Sequence, residues 1–222
     1  EAKAGLRAEQ TLSLGNSLST GSVVDRNYLQ VFPSMFLSHS LNENGKVNAS
    51  YSRRISRPAY KSLNPFVSYS DPYTARMGNP FLQPSFSQSF QLNYTYKSFQ
   101  LISFSYVSQD DVATDIFLQN DDTKESISVP QNLSRAEYMS LSSGGSFNIT
   151  KWWNANLQMS ATHNMLRSPI EGQQFRNASF SWSANAENYF NLAHKWRISL
   201  SGYYSAPGAS GIHNMMAGYQ IN

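Results

Sequence analysis

The chain has 222 residues, of which only 14% are charged and 14% are aromatic, with 13 Tyr, 13 Phe and no cysteine. An ordinary soluble domain is roughly 25% charged; here Ser, Asn and Gln take that share, so mean hydropathy is −0.45 although 40% of residues are apolar. The net charge of +3 is scattered apart from Arg53, Arg54 and Arg57, which excludes a nucleic-acid footprint, the lack of cysteine excludes a disulfide framework and thiolate metal sites, and no apolar run reaches the ~18 residues of a membrane helix.

In chain order the pattern is period two. Loose alternation runs through Leu6 to Leu14, Val31 to Leu41 and Val47 to Ile55. Phe90, Leu92, Tyr94 and Tyr96 then alternate with Gln91, Asn93, Thr95 and Lys97. After a turn at Lys97-Ser98, Ile102, Phe104 and Tyr106 alternate with Ser103, Ser105 and Val107, and Met139 to Ile149 continues more weakly. The clearest run sets Trp153, Ala155, Leu157, Met159, Ala161 and Met165 against Asn154, Asn156, Gln158, Ser160, Thr162 and Asn164. Ala178 to Ala186 and Trp196 to Tyr204 repeat it, and His213 to Ile221 closes the series.

Successive side chains leave opposite faces of a pleat, so each run predicts a β-strand. The polar partners are Asn, Gln, Ser and Thr rather than Lys and Glu, as expected for strands with lipid on one side and a watery lumen on the other. The fold expected is therefore all-β and antiparallel: a transmembrane β-barrel segment of about ten strands, each long enough to cross a bilayer when tilted. A secreted β-sandwich binding glycans through Tyr and Trp shares this composition, but it requires the apolar faces to pack against a second sheet.

Connections alternate in length. Asn42 to Gly45, Lys97-Ser98, Thr150 to Trp152 and Asn191 to Lys195 are brief, whereas Gly15 to Tyr28, Arg57 to Pro84, the polar tip at Asn120 to Lys124 and Ser168 to Gln173 read as longer loops. Outer-membrane barrels have short periplasmic turns and longer external loops, which assigns Trp152, Trp153 and Trp196, all beside short turns, to the periplasmic aromatic girdle. Phe99 to Leu118 and Ile127 to Ile149 exceed what a membrane needs and predict a projecting external hairpin. Pro130 in that hairpin predicts a bulge or an edge position, and Gly144-Gly145 a bend or bulge.

The sequence offers no enzyme. His39, His163, His194 and His213 lack a two-histidine metal spacing and read as structural. Asp110 and Asp111 are neighbours, so on a strand they point to opposite faces and cannot share a proton. With Asp115, Asp121 and Asp122 they read as a solvated external loop. No Gly-x-Ser-x-Gly elbow or phosphate loop is present, and neither a metal nor a cofactor is expected.

The segment from Arg53 to Pro84 is distinctive: Arg53-Arg54-Ile55-Ser56-Arg57-Pro58, Tyr60, Leu63-Asn64-Pro65-Phe66, Asp71-Pro72-Tyr73, then Gly78-Asn79-Pro80-Phe81-Leu82 and Pro84. Together with Gly5 to Glu9, Phe32-Pro33-Ser34 and Ile149 to Trp153, it resembles the barrel of TonB-dependent outer-membrane receptors of the Bacteroidetes type, in the outer membrane β-barrel family. The prolines preset φ and remove donors, which stops a sheet from continuing. Tyr60, Phe66, Tyr73 and Phe81 are expected to pack this loop on itself; its signature residues Arg57, Pro58, Tyr60, Asn64, Pro65, Phe66, Asp71, Tyr73, Asn79 and Pro80 shape the loop or face ligand.

The resemblance implies a barrel of about 22 strands in the outer membrane of a Gram-negative bacterium, a plug in its lumen, energy from TonB, and a surface lipoprotein as a further candidate partner. On that basis residues 1–222 are expected to be part of the barrel domain, without the plug and the remaining strands, in a receptor importing a scarce nutrient such as a siderophore, glycan, peptide or cobalamin. Arg7 and Glu9 share a face with Lys3, and Arg54 and Arg197 lie on polar faces, so these residues are candidates to line the lumen and hold the plug. A self-contained barrel, acting as a pore or an enzyme, is the alternative.

Overall fold

A computed structural model describes residues 1–17, 21–97, 99–170, 173–192, 196–210 and 213–221. The strands are β1 (Ala2–Ser17), β2 (Ser22–Ser40), β3 (Gly45–Ser56), β4 (Ser68–Asp71), β5 (Thr74–Arg76), β6 (Ser85–Tyr96), β7 (Phe99–Gln119), β8 (Ser126–Asn148), β9 (Trp153–Ile170), β10 (Gln173–Asn191), β11 (Arg197–Ser205), β12 (Gly208–Ser210), β13 (His213–Met215) and β14 (Gly218–Ile221), with one helical turn, α1 (Tyr60–Leu63). Ten of them form a meander in the order β1-β2-β3-β6-β7-β8-β9-β10-β11-β14. Every neighbouring pair in it is antiparallel. Among the described residues β1 pairs only with β2 and β14 only with β11, so the sheet is an open arc.

Apart from a bulge near the start of β7, the registers carry the alternation across the arc on one face. Leu157 lies opposite Ala186 and Met159 opposite Ala184, while Ile198 and Leu200 lie opposite Phe190 and Asn188. Leu157, Met159, Phe180, Trp182, Ile198 and Leu200 are 42% to 62% exposed. Among the described residues no second sheet covers them, which removes the sandwich alternative. From Trp153 to Met165 this outward face runs for about 40 Å of strand, or about 28 Å of height at a 45° tilt, the thickness of a hydrocarbon core.

Both margins of the band are marked. At the short-turn end Trp152, Trp153 and Phe190 have ring centroids 5.8 to 6.3 Å apart, and Trp153 Nε1 donates to Asn188 Oδ1 at 3.1 Å. At the opposite margin the outward positions turn charged: Arg135 lies 3.9 Å from Asp110 and 3.5 Å from Glu137, and Arg167 lies 3.9 Å from Glu137. Beyond it β7 and β8 continue as the projecting hairpin.

Several expectations require correction. Gly15 to Tyr28 is no long loop, because β1 and β2 stay paired up to Ser17 opposite Ser22. Likewise β9 and β10 pair as far as Ile170 opposite Gln173. Length at this end therefore resides in extended strands, where each further residue gains ladder hydrogen bonds. The sheet is not antiparallel throughout: Thr74 to Arg76 of β5 runs parallel to Ser126 to Ser128 of β8. The bulge expected at Gly144-Gly145 falls instead on the partner strand, where Gln100 and Ser103 of β7 face Gly144 and Ser142 of β8. His213 to Ile221 is two strands, β13 pairing with β12 and β14 with β11. Pro130 does sit on an edge, since β9 pairs with β8 only from Arg135 onward. Ser98, Glu171, Gly172, His194 and their parts of the expected turns lie outside the described residues.

The two faces differ in what they tolerate. Met159→Arg, near mid-height on the outward face, should cost about 2–4 kcal/mol of stability in lipid, whereas Gln158→Arg should cost about 0.5 kcal/mol or less. Denaturant unfolding of both variants in vesicles, each made within a complete barrel, checks this.

Candidate functional site

The inward wall is built of small polar side chains, because one face of every strand must be wet. A groove of about 550 Å³ runs over β1, β2, β3 and β6, lined by Lys3, Ser34, Ser50, Arg54, Ser89 and Gln91. A second, of about 750 Å³, lies over β8, β9 and β10 against Ser142, Asn156, Gln158, Ser183 and Glu187. Ser160 and Ser183 share a hydrogen bond of 2.8 Å, and Ser103 donates to Asn93 at 2.6 Å. Such a wall is hydrated and neutral over most of its area.

Across this wall lies residues 57–84, a strap fastened at both sides. On one side Arg57 Nη2 contacts Glu9 at 2.8 Å and donates to Thr11 Oγ1 at 3.0 Å. Arg26 of β2 donates to the carbonyls of Pro80 (3.0 Å) and Leu82 (2.6 Å). On the other side Arg76 meets Asp115 of β7 at 3.2 Å, and Asn79 Nδ2 donates to the Pro130 carbonyl at 3.1 Å. Asn132 accepts from the Gln83 N–H (2.9 Å) and donates to the Gln83 (3.0 Å) and Asp111 (2.8 Å) carbonyls. β5 completes the attachment by pairing with the edge of β8 that β9 has left free, and Leu82 is fully buried beneath the strap. Where β9 departs, Leu133, Ala136 and Leu166 form a small buried core with Val112 and Ile116 against it.

The strap's motif is a turn repeated three times. In Asn64-Pro65-Phe66, Asp71-Pro72-Tyr73 and Asn79-Pro80-Phe81, the first side chain accepts the N–H of the aromatic residue at 3.2, 2.8 and 2.9 Å. Pro sets φ and Asx closes the turn. Gly78 is needed because an added Cβ would stand 2.9 Å from the Asn64 nitrogen and closer still to its carbonyl oxygen. The aromatics do not pack the strap on itself: Tyr60, Phe66, Tyr73 and Phe81 are 59% to 84% exposed. The tethering is done by polar groups and Leu82, which leaves the rings free.

Of the candidate lumen residues, Arg7 and Glu9 are brought together at 3.1 Å. Arg54, opposite Ser87, lines the first groove. Arg197, opposite Asn191, faces inward near the short-turn end, far from the other three in the strand order. Trp152 and Trp153 meet Phe190, and Trp196 is exposed just before β11. Sequence reasoning missed Arg26, Asn132 and Leu82, since nothing local marks a residue whose partners lie 49 to 56 positions away. β2 and β3 also part above the Ser34–Ser52 pair, and Phe32 fills the gap with Arg7 and Arg53 over its ring at 5.1 and 5.8 Å.

Charge on the strap is held in place. The hydrogen bond that Arg57 donates to the Glu9 carboxylate raises its guanidinium above its ordinary value. Asp71 is lowered, first by the Tyr73 N–H and then by the Thr74 hydroxyl. Among the described residues no group of His, Asp or Glu is placed to hold a metal ion.

An arc of antiparallel strands with a bilayer-high apolar outer band and a polar inner wall defines a class, the outer-membrane β-barrels. The chain belongs to the outer membrane protein beta-barrel family, whose model matches residues 1–222, and its place is the Gram-negative outer membrane. No curated protein matches it in sequence. Among solved structures it is similar to the siderophore receptor PirA from Pseudomonas aeruginosa, with a TM-score of 0.50 and 16% identity over 90% of this chain and 42% of that one. It is also similar to the copper transporter OprC, with a TM-score of 0.51 and 12% identity over 92% of this chain and 39% of that one. These likenesses concern the fold, and the chain spans about two fifths of both proteins.

Arg26→Met should free the strap carbonyls and favour strap opening by about 2 kcal/mol, seen as faster amide exchange at Gly78 and Asn79. Asp71 behaves differently with pH. Its folded value lies below its unfolded one, so its turn is fully stabilised above the ordinary carboxylate range and is lost only as pH falls through the lowered value. The Tyr73 amide shift should therefore stay constant from neutral pH down to about 5 and move only in stronger acid.

Proposed function

We propose that this chain is part of the barrel of a TonB-dependent outer-membrane receptor that imports a scarce nutrient and has no catalytic role. The observation that carries the reading is the open ten-stranded meander whose inward wall is spanned by a strap tethered to β1, β2, β7 and β8. Likeness in fold to proteins named as a siderophore receptor and a copper transporter supports transport.

On this reading residues 1–222 supply part of the barrel domain, and a plug of the parent protein fills the lumen against Arg7, Glu9, Arg54 and Arg197. TonB acts through that parent protein, and a surface lipoprotein at the external mouth is a further partner. Trp152, Trp153 and Trp196 form the periplasmic girdle, which places the strap and the long β7–β8 hairpin outside. The exposed rings Tyr60, Phe66, Tyr73 and Phe81 then face the route of the incoming ligand, with Arg57, Pro58, Asn64, Pro65, Asp71, Asn79 and Pro80 holding them in position. The substrate belongs to the siderophore, glycan, peptide or cobalamin class.

Unpaired backbone groups on β1 and β14 cost several kcal/mol each in hydrocarbon. Residues 1–222 alone, reconstituted in liposomes, should therefore associate or aggregate and conduct nothing, while removing the segment from the parent protein should abolish uptake. A monomeric, conducting barrel made of residues 1–222 would instead establish the small-pore alternative.

A further inference from the structure

The inward wall of β1 and β2 concentrates positive charge around one carboxylate. Arg7 and Arg57 converge on Glu9, through Nε at 3.1 Å and Nη2 at 2.8 Å. Arg53, which shares the outward register of Tyr51 and Phe86, reaches across where β2 and β3 part: it lies over the Phe32 ring, as Arg7 does, and donates to Gln30, the residue opposite Glu9. Arg26 enters from above, with its Nη2 on strap carbonyls and its buried Nε without a partner. Asp25 does not offset this charge, because it lies opposite Leu14 in the outward register. The cluster is open to the lumen: the side chains of Arg7, Arg57 and Glu9 are 61%, 45% and 28% exposed.

Two guanidiniums gripping one carboxylate show the chemistry the place accepts. Arg7 comes closest to Glu9 through its Nε, its guanidinium also lies over the Phe32 ring at 5.1 Å, and its side chain stays largely exposed to an incoming anion. We propose that Arg7 and Arg57 form a binding site for a multiply charged carboxylate- or phosphate-bearing anion, with Glu9 as a built-in competitor for the same donors. The guest takes the guanidinium forks, which match such oxygens in pairs, and Glu9 turns aside. Arg53 and Arg26 add field without direct contact, and the Thr11 hydroxyl, already 3.0 Å from Arg57, borders the site. Because Arg57 also ties the strap to β1, occupation of the site loosens that attachment.

The proposal rests on reading the inward face as a lumen. It allows two sources for the anion: a free nutrient, or acidic side chains of the parent protein's own lumenal domain. Calorimetric titration of the detergent-solubilised parent protein with citrate and with pyrophosphate tests it. For a free anion, Arg7→Gln and Arg57→Gln should each weaken binding about tenfold, and Arg57→Lys, which keeps the charge and loses the fork, should recover only part of it. Glu9→Gln should strengthen binding severalfold, a sign that a merely structural ion pair does not produce.

If the parent protein's own carboxylates occupy the site, neither probe binds, yet Arg7→Gln and Arg57→Gln lower the melting temperature while Glu9→Gln raises it. That result upholds the anion site and assigns its source to the chain. Probe binding indifferent to both arginines, or no binding together with unchanged melting, overturns the proposal. Uptake is not the readout, so failure of the transport reading would leave these results distinct.

Discussion

A backbone that crosses hydrocarbon must pair every N–H and C=O with itself, because no water is there to take them. In this protein that requirement is met by the ladders of a ten-stranded meander, and most other features follow from keeping those ladders unbroken. A ladder that holds register keeps the alternating apolar set on one side of the sheet from β1 to β14, and Phe32 and Phe36, in the inward register of Arg7 and Lys3, stand apart from it. The exposed band from Leu6 to Ile221 is a consequence of that pairing. It is not a hydrophobic core turned outward, since the protein has almost no core of the usual kind.

The strap shows what happens where the constraint is lifted. Beyond the apolar band the chain can leave the ladder, and it does so between Ser56 and Ser85. Proline removes donors that the sheet would otherwise claim, and three Asx-Pro-aromatic turns satisfy the backbone locally. The freed chain then regains strand pairing in a new place, at the edge of β8. The parallel pairing there is possible because β9 pairs with β8 only from Arg135 onward. Strap, edge proline and small buried core are thus one structural event.

The strap's tethers and the arginine cluster share a physical logic. A wall of Ser, Asn and Gln provides hydration but little directional force, so the few charges on it act over a nearly neutral background. Arg57 links the first strap residue to Glu9, and Arg26 holds two strap carbonyls. Electrostatic attachment on the β1–β2 side faces strand pairing on the β8 side. The first rests on charged groups alone, whereas the second adds strand pairing to the Arg76–Asp115 ion pair, so the two ends of the strap differ in kind.

The strands, their faces and the meander were legible in the amino-acid sequence, because period two is a local property and a membrane strand repeats it over its whole length. The extra length of β7 and β8 was legible for the same reason, and the missing N–H of Pro130 narrowed its place to a bulge or an edge. The proline turns marked where the sheet is interrupted. What only the tertiary structure decided concerns partners far apart in the chain: the extension of β1 and β2 through a supposed loop, the pairing of β5 with β8, and the roles of Arg26, Asn132 and Leu82. The strap aromatics were expected to pack together and instead stand exposed, since the distant polar tethers hold the strap without them. Alternation records which face a residue takes, but it carries no information about what will lie across that face.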